Sequence, residues 1–438
     1  MTTFNVANAT QFNSAIKNAT GGDTIVMAAG NYGNITISGR SFASPVTIVS
    51  ASSTSQAHMD RLAIDGVTNL VVKRVDIGSA PISGEVARYV AQVTHSRNIT
   101  LDTVHIHGKI DGNPTNDRSG LAVRWSDTVK VINSDFEDLL RGAWAQRSKN
   151  VQFIGNSFEH IRMDGLAASA VNNILIDGNK FTNFHRLSVD HSDAIQFWST
   201  GETTASKDIV IRNNQVLQGS GTAMQGIFMR DETGKLPYER VTIENNLVYE
   251  SGYANGITVM GGKSIAMKGN TVISRTGDTG PATKIRLENI AGGTISKNVT
   301  DMFYKVGGLS GITYADNISL VDSPNYTAKL ADISLGATAD ADGLTMSGFG
   351  YQFPTTTTAQ TSASEEKIAV DSTVADTAPI TAPAPTYPSF TVDGLYTGTF
   401  SSSGWRSTPV ESQPLTSAET STYSDGSGFR SSYQLYHA

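Results

Sequence analysis

A short phrase returns about ten times between Asn69 and Asn317: an alternating apolar run, one or two residues, then Asn and a second apolar run. Clear copies are Val129–Phe136 (VKVINSDF), Val151–Phe158 (VQFIGNSF), Ile174–Phe181 (ILIDGNKF) and Ile209–Val216 (IVIRNNQV), with Val241–Val248 and Ile265–Val272 continuing the series. Its Asn residues at 133, 156, 179, 214, 246, 270, 298 and 317 are separated by 23, 23, 35, 32, 24, 28 and 19 residues. A unit of this length cannot bury its apolar face alone and does so by stacking on its neighbours. The β-branched alternation in Ile174-Leu-Ile and Val241-Thr-Ile has period two and ends in Gly or Asn turns, so each unit is a coil of strands. Asn suits the bend because it tolerates left-handed backbone, and stacked Asn side chains form a hydrogen-bonded ladder. The repeated Asn is therefore read as structural.

The expected fold is all-β: a solenoid of stacked coils over residues 1–325, with Asn8–Ile16 as a short amphipathic helical cap and Gly21–Tyr32 as a turn and first strand. The Thr-, Ala- and Pro-rich stretch 326–388 reads as a linker or a segment draped on the solenoid. The Ser/Gly-rich stretch 389–438 reads as a tail or small β module.

A net charge of −7 leaves no basic excess to meet phosphates, which argues against a nucleic-acid partner. The absence of Cys excludes disulfides and thiolate metal sites. No apolar run reaches membrane-spanning length, so no membrane insertion is expected. The start MTTFNVANATQF lacks a basic-then-apolar leader. An extracellular or cell-surface protein is expected, with a trimmed signal, signal-less export or a phage particle as the routes.

A second strand precedes each Asn phrase: GLAVRW from Gly120, GAWAQR from Gly142, GLAASA from Gly165, AIQFWS from Ala194, GIFMRD from Gly226, GITVMG from Gly256 and KIRLEN from Lys284. Aligned by alternation, they turn Leu121, Ala143, Leu166, Ile195, Ile227, Ile257 and Ile285 inward, with Val123, Ala145, Ala168, Phe197, Met229, Val259 and Leu287 as the second inward set. All fourteen are apolar, and a slip by one would expose them. The outward columns then run Ala122, Trp144, Ala167, Gln196, Phe228, Thr258, Arg286 and Arg124, Gln146, Ser169, Trp198, Arg230, Met260, Glu288. Before the strands stand Ser119, Arg141, Asp164, Asp193, Gln225, Asn255 and Thr283.

Coils stack roughly 4.8 Å apart, so Asp164 and Asp193 are expected within about 5 Å of each other. Two carboxylates that close raise one pKa or bind a cation. His185, Arg186, Asp190 and His191 lie in the interval that is 12 residues longer than the basic step, and such insertions tend to map to the binding face. The next long interval carries Arg230-Asp-Glu-Thr-Gly-Lys235. The expected site joins Asp164, Asp190, His191, Asp193 and Arg230 as catalytic groups. Arg124, Arg141, Trp144, Arg162, Gln196, Trp198, Lys235, Tyr253 and Arg286 would bind substrate. His105 and His107 alternate on a strand and share a face, but show no third ligand in the sequence.

The architecture resembles the right-handed parallel β-helix superfamily of pectate lyase-like proteins, which implies that the all-β solenoid over residues 1–325 is a right-handed parallel β-helix. Gly21–Tyr32 followed by Pro45–Val49 is similar to the first coils of the chondroitinase B and alginate lyase family. Asp190-His-Ser-Asp193 is similar to the Asp-Pro-His-Asp/Glu motif of mannuronan C5-epimerases, without its Pro. The lyase family's paired catalytic Lys and Arg have no clear counterpart. The resemblance implies action on a polysaccharide, most often an acidic one.

Lyase chemistry on a uronate needs its carboxylate neutralised, a base for the C5 proton and an acid for the leaving oxygen. Arg124, Arg141, Arg162 and Arg230 suit the first task, and His191, oriented by Asp190 or Asp193, suits the second. Trp144 and Trp198 suit stacking on sugars, and Ca²⁺ at Asp164 and Asp193 is a possible replacement for one Arg. A C5-epimerase is an alternative on the same face. A hydrolase would use Asp164 and Asp193 as its carboxylate pair. The polygalacturonase relatives' double Asp and Gly-His-Gly are missing, however, and Lys284-Ile-Arg286 reverses their Arg-Ile-Lys. A phage tailspike or surface carbohydrate-binding protein is the third reading; it would be a homotrimer, where an enzyme of this kind would be a monomer.

Overall fold

The computed structural model describes residues 1–79, 89–250, 253, 255–275, 278, 280–322 and 349–352, with the backbone of three strands between 390 and 409. Met1–Pro354 and Thr355–Ala438 are separate compact units.

In the first unit each coil contributes three strands. Two of them join a 22-stranded sheet and the third a 12-stranded sheet, and the pairing throughout is parallel between successive coils. The first face contains Ser119–Arg124, Ala143–Gln146, Leu166–Ser169, Asp193–Phe197 and Gln225–Arg230. The second contains Asp127–Ile132, Lys149–Ile154, Asn172–Asp177 and Lys207–Arg212. The third contains His105–His107, Asp135–Leu139, Ser157–Ile161 and Lys180–Thr182.

The expected register holds along the first face. Leu121, Ala143, Leu166, Ile195, Ile227, Ile257 and Ile285 pair in succession. None of the fourteen inward residues is more than 1% exposed. One irregularity departs from it: Asn255 pairs with Lys284 rather than Thr283. Inside the third face the rings of Phe136, Phe158 and Phe181 stack at 4.6 and 4.7 Å.

The Asn ladder runs along the corner between second and third faces. Asn156 Nδ2 donates to Asn179 Oδ1, and the pattern repeats through Asn214, Asn246, Asn270, Asn298 and Asn317. Its first member differs from expectation. Ser134, not Asn133, occupies the rung, with its N–H donating to Asn156 Oδ1. Asn133 is the preceding left-handed corner residue (φ 51°), in the place Gly155 takes one coil later (φ 63°).

The cap is a helix, Ala9–Asn18, started by Asn8, whose Oδ1 accepts from Gln11 N–H. A strand the sequence reading missed, Thr3–Val6, precedes it and pairs with Thr24–Met27. Within the stretch 326–388, only Phe349–Gln352 is described. Tyr351 is buried against the solenoid and accepts a hydrogen bond from Gln215. The C-terminal unit shows an antiparallel sheet of Phe390–Val392, Tyr396–Ser401 and Gly404–Pro409. No described helix is long and apolar enough to cross a membrane.

Candidate active site

The corner where the third face passes into the first gathers the polar column anticipated from sequence. Tyr89 pairs with Ser119, Gly120 N–H donates to Arg141 O, Gly142 to Asp164 O, Gly165 to Asp193 O, and Asp193 pairs with Gln225. From Ser119 to Asn255 the residue after each column position is Gly or Ala because the corner is tight. A Cβ on Gly142 would lie 2.3 Å from the Gly165 carbonyl oxygen, and one on Gly226 would lie 2.2 Å from that of Gly256. Consecutive members of the column therefore sit one strand spacing apart, about 4.8 Å.

Asp164, His191 and Asp193 converge, their nearest ligand-type atoms lying within 4.8 Å of one another. Asp193 is fully buried and Asp164 is 4% exposed. Among the described residues, no donor is well aligned with Asp164 Oδ1 or with either oxygen of Asp193. Arg141 Nε stands 3.5 Å from Asp164 Oδ2. His191 Nδ1 lies 3.2 Å from Asp193 Oδ2 as a charge contact, and its ring meets Phe228 edge-on at 5.6 Å. Gln225 Oε1 accepts from Asn255 Nδ2, which turns the Gln225 amide nitrogen to His191 Nε2 at 2.5 Å. In that arrangement Nε2 is the unprotonated nitrogen and Nδ1–H faces Asp193.

Burial raises the Asp164 carboxyl, Arg141 opposes it, and the Asp193 charge adds to it, leaving Asp164 at about 6. For His191, burial works against the charged form, but Asp193 and then Asp164 outweigh it and raise the imidazole to about 9.

Upstream on the same face, Trp144 stacks with Tyr89 at 6.4 Å and meets Trp198 at 5.3 Å. Ala167 and Ser169 are the small outward residues of the coil between the two tryptophans, which leaves room for the rings to meet. The Arg124 guanidinium rests 4.4 Å from the Trp144 ring and 5.4 Å from the Tyr89 ring. Gln196 sits half-buried between Ala167 and Phe228 in the same outward column.

Other expected site residues are placed differently. Asp190 does not orient His191: it receives both Nε (2.7 Å) and Nη2 (3.0 Å) of Arg162, so these two neutralise each other. Arg230 ends its strand, and Lys235 is in the exposed turn beyond it, at the far end of the face from His191. That end is walled by Glu202, which accepts from Gln146 and Arg147, and by Glu232, which accepts from Ser199 N–H. The long intervals thus split their extra residues between both ends of the strands. Arg286 pairs with Glu288 at 2.8 Å, further along the solenoid. Tyr253 takes the Arg186 guanidinium against its ring at 4.9 Å, which fixes the insertion above His191.

Tyr89 and Gln225 are additions. Gln225 was visible in the aligned column, whereas Tyr89 belongs to a coil that the alignment did not reach. For Ca²⁺ the donor set is short. Two carboxylates and an imidazole, with Arg141 already against one carboxylate, fall below the six to eight oxygens that ion takes.

A family model described as the right handed beta helix region matches residues 89–273. No curated protein matches the chain. Among solved structures, the PL6 family alginate lyase AlyGC is 13% identical, over 72% of this chain and 51% of its own, with a TM-score of 0.41. The Dettilon tailspike protein is 15% identical over 71% of this chain and 61% of its own, with a TM-score of 0.50. A PL6 family polysaccharide lyase from Pseudopedobacter saltans is 13% identical over 72% of this chain and 92% of its own, with a TM-score of 0.46. The chain thus spans about half the length of the first and about three fifths of the second. At these identities the likeness is one of fold. Parallel coils, an internal Asn ladder and the match over residues 89–273 together make this chain a right-handed parallel β-helix protein.

Proposed function

We infer that the first face binds an acidic polysaccharide and cleaves it by β-elimination, with His191 as the reacting group. The observation that carries this reading is the convergence of His191 on two buried carboxylates, with Arg141 one coil from Asp164 and the Tyr89–Trp144–Trp198 row on the same face. Asp164 and Asp193 are too buried to touch a sugar, so they act as positioning residues that strengthen the imidazole as a base. Substrate displaces the Gln225 amide from His191 Nε2, which then takes the C5 proton as the C4–O bond breaks and the C4–C5 double bond forms. The imidazolium so formed returns the proton to the leaving glycosidic oxygen on the same side of the ring. Arg124 and Arg141 offset the uronate carboxylate, which acidifies C5–H. The aromatic row supplies the sugar-stacking surface. Proton chemistry suits the cluster better than Ca²⁺, and chelator treatment should leave turnover unchanged.

Hydrolysis has one observation in its favour: a carboxyl raised to about 6 next to a second carboxylate, the pattern of a general acid and its partner. The burial of both stands against it. A panel of uronate polysaccharides separates the two readings. Unsaturated, ultraviolet-absorbing products that fall ~100-fold or more in His191→Ala support elimination. New reducing ends without unsaturation would replace it with hydrolysis, and binding without cleavage by a trimeric protein would favour the tailspike-like reading.

A further inference from the structure

On the third face of the early coils, His105 and His107 meet the ligands that sequence spacing did not show. Strand pairing sets His58 and then His105 beside Asp76, and His107 beside Gly78, on three successive coils. Asp76 Oδ2 is 2.5 Å from His58 Nδ1, while Oδ1 is 2.9 Å from His105 Nδ1 and 3.3 Å from His107 Nε2. Three imidazoles thus turn one nitrogen each toward a single carboxylate.

The opposite nitrogen of every ring already has an acceptor. His58 Nε2 faces Asp60 Oδ1 at 3.2 Å, His105 Nε2 faces Glu137 Oε2 at 3.3 Å, and His107 Nδ1 faces the Gly108 carbonyl at 2.7 Å. This is how metal-binding histidines are held: the far N–H donates outward, fixing the tautomer and leaving a lone pair on the near nitrogen. With an oxygen at both ends, the metal-free His58 and His105 rings donate to Asp76 from the near side, and a divalent cation entering the cluster displaces those protons. The ligand atoms of His58, Asp76 and His107 are within 4.8 Å of one another. A tetrahedral ion with bonds of about 2.0–2.2 Å spaces its ligand atoms roughly 3.4 Å apart, so the His58–Asp76 contact opens slightly as the ion enters.

The surroundings are fitted to the arrangement. A Cβ on Gly78 would stand 2.6 Å from His107 Nδ1 and 2.7 Å from its Cδ2, so the ring occupies space that only glycine leaves. Asp76, His105 and Glu137 also border a surface groove of about 490 Å³, which gives an ion a route in.

We propose that His58, Asp76 and His107 bind Zn²⁺ or a similar divalent transition metal and clamp three coils together, with His105 holding the Asp76 carboxylate from its other side and water completing the tetrahedron. Two imidazole nitrogens and one carboxylate oxygen match Zn²⁺, while Ca²⁺ and Mg²⁺ require oxygen-rich sets. The site stands apart from the proposed elimination chemistry and does not depend on it.

The test is calorimetric titration of Zn²⁺ into the metal-stripped full chain, with Co²⁺ absorption as a report on tetrahedral geometry. The wild type should bind with an affinity that falls ~10–100-fold in Asp60→Asn and Glu137→Gln, which leave the ligands in place. It should fall further still in His58→Ala/His107→Ala, and Zn²⁺ should raise the unfolding temperature of the wild type but not of that double variant. No Zn²⁺ binding by the wild type overturns the proposal and leaves the imidazoles as protonated partners of Asp76. Binding unchanged in the double variant also overturns it and moves the ion to another acidic cluster. Should the double variant misfold, the two single outer variants decide alone, since equal affinity in both is incompatible with the site.

Discussion

His191 illustrates how a side chain's neighbours set its chemistry more than its own type does. Its imidazole, ordinarily near 6.5, stands at about 9 because the charges of Asp193 and Asp164 overcome the effect of burial. If neutral His191 is the base, kcat/KM should rise with pH and level off above about 9. Asp193→Asn removes the main cause, so the same limb should move acidward; an unmoved limb would show that a different group titrates. The stability linkage has the matching sign. A raised imidazole stabilises the fold fully below about 6.5, and that contribution is lost as pH rises through about 9, so chemical denaturation of the wild type should weaken over this window. Arg124→Ala removes a guanidinium that lies on two rings, and is expected to raise KM for an acidic glycan by roughly tenfold with a smaller change in kcat. The sequence showed that Asp164, His191 and Asp193 would meet, because equal positions on stacked coils must be neighbours. It misassigned Asp190 because nothing in one dimension says that Arg162, from the preceding coil, claims both of its oxygens.

At the scale of strands and corners, the alternation of apolar residues sufficed for the register of seven consecutive strands, since each inward residue had to be buried. The ladder was read correctly except at Asn133, where the letters Asn-Ser place an Asn one residue before the rung and a Ser on it. Ser serves because the rung needs an acceptor and a donor, not an amide as such. Asn214 carries the full set of bonds: its Nδ2 donates to Ile176 O and Asn246 Oδ1, while its Oδ1 accepts from Asn179 N–H and Nδ2. Asn214→Ala would leave several buried groups without partners, for a loss of ~1–3 kcal/mol per unsatisfied group. Denaturant unfolding should record at least that lower figure, and a neutral result would mean that water replaces the side chain. The metal-like cluster escaped the sequence reading for a related reason. His58, Asp76 and His105 lie in coils whose lengths vary too much to align without the strand pairing itself.

For the whole molecule, the net charge of −7 and an acidic glycan would repel at long range, so recognition must rest on the local Arg and aromatic surface of the first face. All the groups of that surface lie within Met1–Pro354. A chain ending at Pro354 should therefore keep the turnover of the full protein, and loss of activity in a folded truncation would assign a part in catalysis to the C-terminal unit.

The glycine-lined corner has a consequence for how such a chain can change. Because its backbones pair coil by coil and leave room for at most a methyl group, spacing along the column is quantised in whole coils. An extra coil spliced in after Thr300 would leave the Asp164–Asp193 contact and the aromatic row untouched, and activity should survive. The same coil spliced between residues 170 and 190 would drive the two carboxylates about 4.8 Å further apart and abolish it. Length is thus free to vary only where a coil carries no group of either cluster.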